Sequence, residues 1–128
     1  MATSYDRFVR EFEGTYVKRS IIKAIAYGNA TNAVGTVPLG AILLPTQFVV
    51  STAFTGGTPA IIVGIATNTD SLMAAADITE GTAATYTSYL EVTGTALTAA
   101  MAVVCTTSGS STAGAGLCIL NFLMPAMS

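Results

Sequence analysis

The sequence has no histidine and no tryptophan, only two cysteines and four prolines, and just five basic and seven acidic residues among 128. Each shortage excludes something. Without histidine there is no imidazole to ligate a metal, to act as a general base, or to activate a cysteine nucleophile. Charged residues make up 9% of the chain, against about 25% in an ordinary soluble domain, so the surface is not covered by charge in the usual way. The formal net charge of −2 and a pI near 4.7 exclude nucleic acid as the default partner. Disorder is excluded too, because it goes with low hydropathy and high net charge, and the mean hydropathy here is +0.63.

Long apolar runs are also missing. A spanning helix needs about 20 mostly apolar residues, yet the stretch Leu39–Val50 is broken by Gly40, Pro45 and Gln47. Ala60–Ala66 and Leu117–Met124 are strand-length. Five Tyr and five Phe do not form the aromatic girdles of an outer-membrane barrel. Met1–Glu13 is charged and has no apolar core of a signal peptide. No membrane partner is expected.

What is present is unevenly placed. All five basic residues, Arg7, Arg10, Lys18, Arg19 and Lys23, fall in the first 23, with Asp6, Glu11 and Glu13. Beyond Lys23 only Asp70, Asp77, Glu80 and Glu91 carry charge. A basic-leaning arm thus precedes a nearly uncharged body. The arm reads either as a solvated first element or as a docking segment for an acidic surface or a neighbouring subunit. Tyr5, Phe8, Val9 and Phe12 recur at helical spacing and predict a short amphipathic helix ending at Gly14. Residues 1–14 are therefore taken as an arm and 15–128 as one domain.

The body reads as strands set between turn residues. Tyr16–Tyr27 is rich in β-branched and aromatic residues, and Ala33–Val37 is a short strand. Ala41–Ala53 should break or bulge at Pro45, which has no N–H to give a ladder. Thr55-Gly56-Gly57-Thr58-Pro59 reads as a hairpin loop joining Phe48–Phe54 to Ala60–Ala66. Ser71–Ala76 suits one or two helical turns with Asp70 as N-cap. Thr85–Thr93, Met101–Thr107 and Leu117–Met124 complete the series, the last two joined by a flexible Ser108–Gly116 loop. About seven short strands with little helix predict an all-β fold, an antiparallel β-sandwich or jelly roll. The final strand is apolar on both faces: Leu117, Ile119 and Leu123 on one, Cys118, Leu120 and Phe122 on the other. A two-sheet protein normally turns one face of each sheet to water, so a second copy of the chain is the expected cover. Leu117, Ile119, Leu120, Phe122 and Leu123 are the candidate subunit interface.

Residues able to support chemistry are few. Cys105 and Cys118 lie symmetrically about Ser111-Thr112 and would face each other in a hairpin; buried thiols are expected rather than a disulfide. Asp70, Asp77 and Glu80 with Asn68 match no calcium loop and are read as caps or solvated loop groups. Gly56-Gly57 and Gly114-x-Gly116 lack the lysine of a P-loop and are read as turn glycines. Tyr86 and Tyr89 near Glu91 are the residues a sugar site would use. No catalytic constellation is found, so no enzyme activity, metal or cofactor is expected.

Gly40–Leu43, Thr52–Pro59, Asp70–Thr79 and Ser111–Gly116, each leading into or out of an apolar strand, give the body from about Leu39 to Met124 a resemblance. It resembles small β-sandwich virion structural proteins of tailed bacteriophages, the capsid decoration or cement class. The resemblance implies a homotrimer on the outer face of a phage head, made in the host cytoplasm and bound to the major capsid protein at local threefold positions. Tyr5, Arg7, Phe8, Arg10 and Phe12 are then the expected contacts to the capsid or a neighbouring subunit. A tail or head–tail connector part is the alternative assembly, and a glycan-binding jelly roll a third.

Overall fold

The computed structural model describes residues 16–125. Among these residues nine strands form two antiparallel sheets: β1 (Tyr16–Ala26), β2 (Ala30–Val37), β3 (Ile42–Leu43), β4 (Thr46–Thr55), β5 (Ala60–Ile65), β6 (Asn68–Met73), β7 (Ala84–Ser88), β8 (Met101–Ser108) and β9 (Ala113–Pro125). One sheet has the order β1-β9-β4-β7, with β3 continuing the line of β4 along β9; the other has the order β2-β8-β5-β6. The expected all-β sandwich is the fold. Among the described residues the only helical element is a 3-10 turn at Ala75–Asp77. The expected helix around Phe8 lies outside the described residues.

The two sheets enclose one core. Phe48, Phe54, Val50, Leu120 and Phe122 from the first sheet meet Val37, Ile61, Val63, Leu72, Val103 and Cys105 from the second, all essentially buried. The Phe48 and Phe54 rings are tilted at 56° with centroids 6.4 Å apart, within the range favoured by aromatic pairs. The Pro45 break occurs where expected: β3 ends at Leu43 and β4 starts at Thr46.

Several local expectations change. The Thr55–Pro59 segment does not close a hairpin; it carries the chain from β4 in one sheet to β5 in the other. β8 and β9 likewise lie in opposite sheets, and their connection is four residues, with Ala113–Gly116 belonging to β9. Turn chemistry reports a reversal of direction, whereas strand partners are chosen by long-range pairing. Three of the crossings between the sheets, β1 to β2, β4 to β5 and β8 to β9, meet at one end of the sandwich. There Thr58 N–H donates to the Gly109 carbonyl (2.9 Å) and Thr112 N–H to the Thr55 carbonyl (2.7 Å). Ser110 N–H donates to Asn29 Oδ1 (2.8 Å). Gly57, at φ 59°, sits so close that an added Cβ would strike the Gly109 carbonyl oxygen.

Ser71–Ala76 is helical only at Ala75 and Ala76, which begin the 3-10 turn. Its first half belongs to β6, which pairs with β5 through Val63↔Met73 and Ile65↔Asn68, and Asp70 is an exposed strand residue rather than a cap. Leu72 and Met73 are buried only in that strand arrangement, and tertiary burial overrides a weak helical propensity. β7 stops at Ser88, opposite Thr46, because β4 offers no partner beyond that residue. Glu91 then takes the left-handed conformation, at φ 64°.

Candidate interaction surfaces

The outward face of the β1-β9-β4-β7 sheet is built by register. Val49 stands between Leu117 and Thr85, and Leu117 neighbours Ala24. Gln47 stands between Ile119 and Thr87, and Ile119 neighbours Ile22. Leu123 lies between Ile42 and Lys18. Ile22 is 60% exposed and Leu117 37%. The result is an apolar strip across three strands with a single charge, Lys18, at one end.

Asn121 interrupts the strip, and it is buried. Its Oδ1 accepts from Ser20 Oγ (2.7 Å), while Nδ2 donates to the Pro45 carbonyl (3.1 Å) and to Gln47 Oε1 (3.4 Å). Its own carbonyl accepts from Leu44 N–H (2.9 Å). Asn121 thus ties the broken β3–β4 segment to β9, satisfying groups the proline break would otherwise leave open. Nothing in its local sequence context marks this role, because the partners are some 75 to 100 residues away.

The structure divides the candidate interface residues. Leu117, Ile119 and Leu123 lie on the outward face. Leu120 and Phe122 point inward and are 1% and 3% exposed within one chain, so they serve the core and have no surface to offer a partner. β9 is apolar on both faces because one face fills the sandwich. Tyr5, Arg7, Phe8, Arg10 and Phe12 lie outside the described residues.

The remaining candidates also find places. Cys105 and Cys118 are free, buried thiols, facing each other across the two sheets rather than along a hairpin. The hydrogen bond with Cys105, followed by burial, pushes the Cys118 thiol far above its ordinary range. Asp77 Oδ2 accepts from Ala74 N–H (2.9 Å) and Glu80 Oε1 from Ile61 N–H (3.1 Å), so both acids hold backbone. Among the described residues no group of His, Cys, Asp or Glu is placed to hold a metal ion. Gly114 and Gly116 are strand residues, not turn glycines: the rings of Phe54 and Phe48 lie against them, where a Cβ would collide. Tyr86 directs its hydroxyl to the carbonyls of Thr79 (2.9 Å) and Thr82 (2.8 Å), while Tyr89 is 72% exposed.

Charge is segregated by the strand order. Lys18, Arg19 and Lys23 are all exposed and all on β1, one lateral edge of the sandwich. Asp70 on β6, Asp77 and Glu80 between β6 and β7, and Glu91 just past β7 belong to the opposite side. The central strands β4, β5, β8 and β9 carry no charge.

No protein-family model matches the chain, and no curated protein matches it in sequence. Solved structures do match in shape. The same sandwich is found in phage capsids. A chain of the cyanophage Pam1 capsid asymmetric unit aligns at a TM-score of 0.69 and 18% identity, covering 87% of both chains. A chain of the acid-stable capsid of Helicobacter pylori bacteriophage KHP30 aligns at 0.69 and 15%, covering 86% of this chain and 90% of that one. A chain of the Ralstonia phage GP4 capsid aligns at 0.58 and 18%, covering 90% and 87%. At such identities these likenesses establish a common fold.

Proposed function

We propose that this chain is a structural protein of a bacteriophage head: a capsid decoration (cement) protein that assembles as a homotrimer and stabilises the shell by bridging major capsid proteins. The observation that carries the reading is the end-to-end match of the fold to chains found in phage capsids, covering 86–90% on either side. The surface supports it. An apolar outward strip bearing Leu117, Ile119 and Leu123, with Ile22 at 60% exposure, is the kind of patch that marks a protein–protein contact.

The mechanism follows from geometry and multivalency. Packaged DNA strains a shell at the seams where capsomers join. A rigid trimer that grips several capsid subunits at once gains effective affinity from simultaneous attachment without any new type of contact. Tyr5, Phe8 and Phe12 with Arg7 and Arg10 form the capsid-facing or neighbour-facing element in this reading, and the Leu117–Leu123 strip the contact between subunits.

The test is a binding assay on capsids that lack the protein. Purified full-length chain is expected to co-sediment with such capsids and to raise the temperature at which they rupture. Deleting residues 1–13 should abolish co-sedimentation while leaving the oligomer intact. Binding that survives the deletion unchanged refutes the role given to the arm. A hexamer or larger ring by native mass spectrometry, with no capsid binding, refutes decoration in favour of a tail or connector part.

A further inference from the structure

The segregation of charge names a surface for self-association. We infer that copies of this chain associate head to tail, with the basic β1 edge of one copy against the acidic β6–β7 edge of the next. The inference rests on the self-association in the preceding reading and extends its contact from the Leu117–Leu123 strip to the lateral edges, specifying which edges meet.

Strand order makes the two edges true opposites. β1 packs over β2 at one side of the sandwich, and β7 lies beside the 3-10 turn that follows β6 at the other. Edge strands of a four-strand layer are about 14 Å apart, at a spacing of about 4.8 Å per strand. The Debye length at physiological salt is about 8 Å, so within one sandwich the opposite charges are largely screened from each other. All four acids among the described residues lie on the far side, which leaves Lys18, Arg19 and Lys23 no described acid to meet. Asp77 and Glu80 hold backbone N–H groups, whereas Asp70 and Glu91 are exposed. These two are the acids free to face a partner.

The pairing options differ in sign. A two-fold contact of β1 with a second β1 sets three cations against three cations, and lysine on an edge strand is a known means of preventing such pairing. A two-fold contact of the acidic edges repels equally. Of the edge-to-edge contacts only the head-to-tail one sets unlike charges together, and when the rotation between copies closes, that contact generates a ring. Among the described residues β1 pairs in the sheet only with β9, so no described strand lies along its other backbone edge over Tyr16–Ala26. An adjoining copy's strand can hydrogen-bond to it.

The experiment measures oligomer mass and the midpoint concentration for dissociation on the full chain. Four forms are compared: wild type, K18E/R19E/K23E, D70K/E91K, and the variant with all five changes. Each single-edge variant should dissociate at a concentration at least about tenfold higher, and the five-fold variant, with both signs exchanged, should recover the wild-type mass. Raising salt from about 0.05 M to about 1 M should weaken the wild-type oligomer in the same direction. Circular dichroism checks that each form is folded, which the exposed positions favour. A single-edge variant that keeps the wild-type midpoint, a folded five-fold variant that stays dissociated, or a wild-type oligomer indifferent to salt overturns the inference. A wild-type chain that is monomeric at all concentrations yet binds capsids also overturns it, together with the trimer of the preceding reading, and leaves capsid binding standing.

Discussion

Replacing Asn121 tests whether one buried amide holds the broken strand to the sheet. Asn121→Leu keeps the volume close while removing the side-chain bonds to Ser20, Pro45 and Gln47. A net hydrogen bond contributes about 0.5–1.5 kcal/mol, and a buried carbonyl left unsatisfied costs about 1–3 kcal/mol. The Ser20 hydroxyl, on an exposed strand, finds water instead, and the 3.4 Å contact to Gln47 is long. The Pro45 carbonyl therefore dominates, and the expected loss is about 1–3 kcal/mol in urea or guanidinium unfolding at fixed protein concentration. Asn121→Asp sharpens the test. At neutral pH it sets a carboxylate, in a site 7% exposed in the native protein, against the Pro45 carbonyl oxygen. Desolvation and that contact raise the carboxyl's pKa in the folded state above its unfolded value of about 3.9. The protonated acid can donate to Pro45 much as the amide does. The stability deficit of N121D relative to wild type should thus be small below about pH 4 and should grow as pH rises through the folded pKa. An Asn121→Leu variant within about 0.5 kcal/mol of wild type, together with a pH-independent deficit for N121D, would refute the reasoning.

Two further outcomes follow from the packing. Gly57→Ala forces a Cβ into the Gly109 carbonyl at φ 59° and should cost about 2–4 kcal/mol, while Gly81→Ala, with open space around it, should change stability by less than about 0.5 kcal/mol. Thermal or chemical unfolding of the two variants decides it. Cys118 keeps its proton in the folded state well beyond its ordinary pKa of 9.0. Below that pH both states hold the proton; above it the unfolded chain releases one that the folded chain retains. Stability should fall by up to about 1.4 kcal/mol per pH unit above about pH 9, and a Cys118→Val variant should show a correspondingly flatter profile. Identical alkaline profiles would refute the assignment.

The sequence was informative where the physics is local. Tyr16–Ala26 is legible as a strand from its β-branched residues, the Pro45 break from the missing N–H, and the Gly56-Gly57 loop from its turn chemistry. It was silent on partners. The Thr55–Pro59 loop looks the same whether the chain turns back beside itself or crosses to another sheet. Asp70 looks like a cap until Leu72 and Met73 find the core as part of β6.

The scarcity of charge, and its concentration before Ala24, was fixed by the sequence alone, and so was the all-β character, because periodicity and turn residues act over a few positions. Tertiary structure decided which face of β9 is core and which is surface, leaving Leu117, Ile119 and Leu123 outside while Leu120 and Phe122 fill the interior. It also turned a gradient along the chain into two oppositely charged edges. Both outcomes depend on which strands lie side by side, and that is set by contacts between residues far apart in sequence.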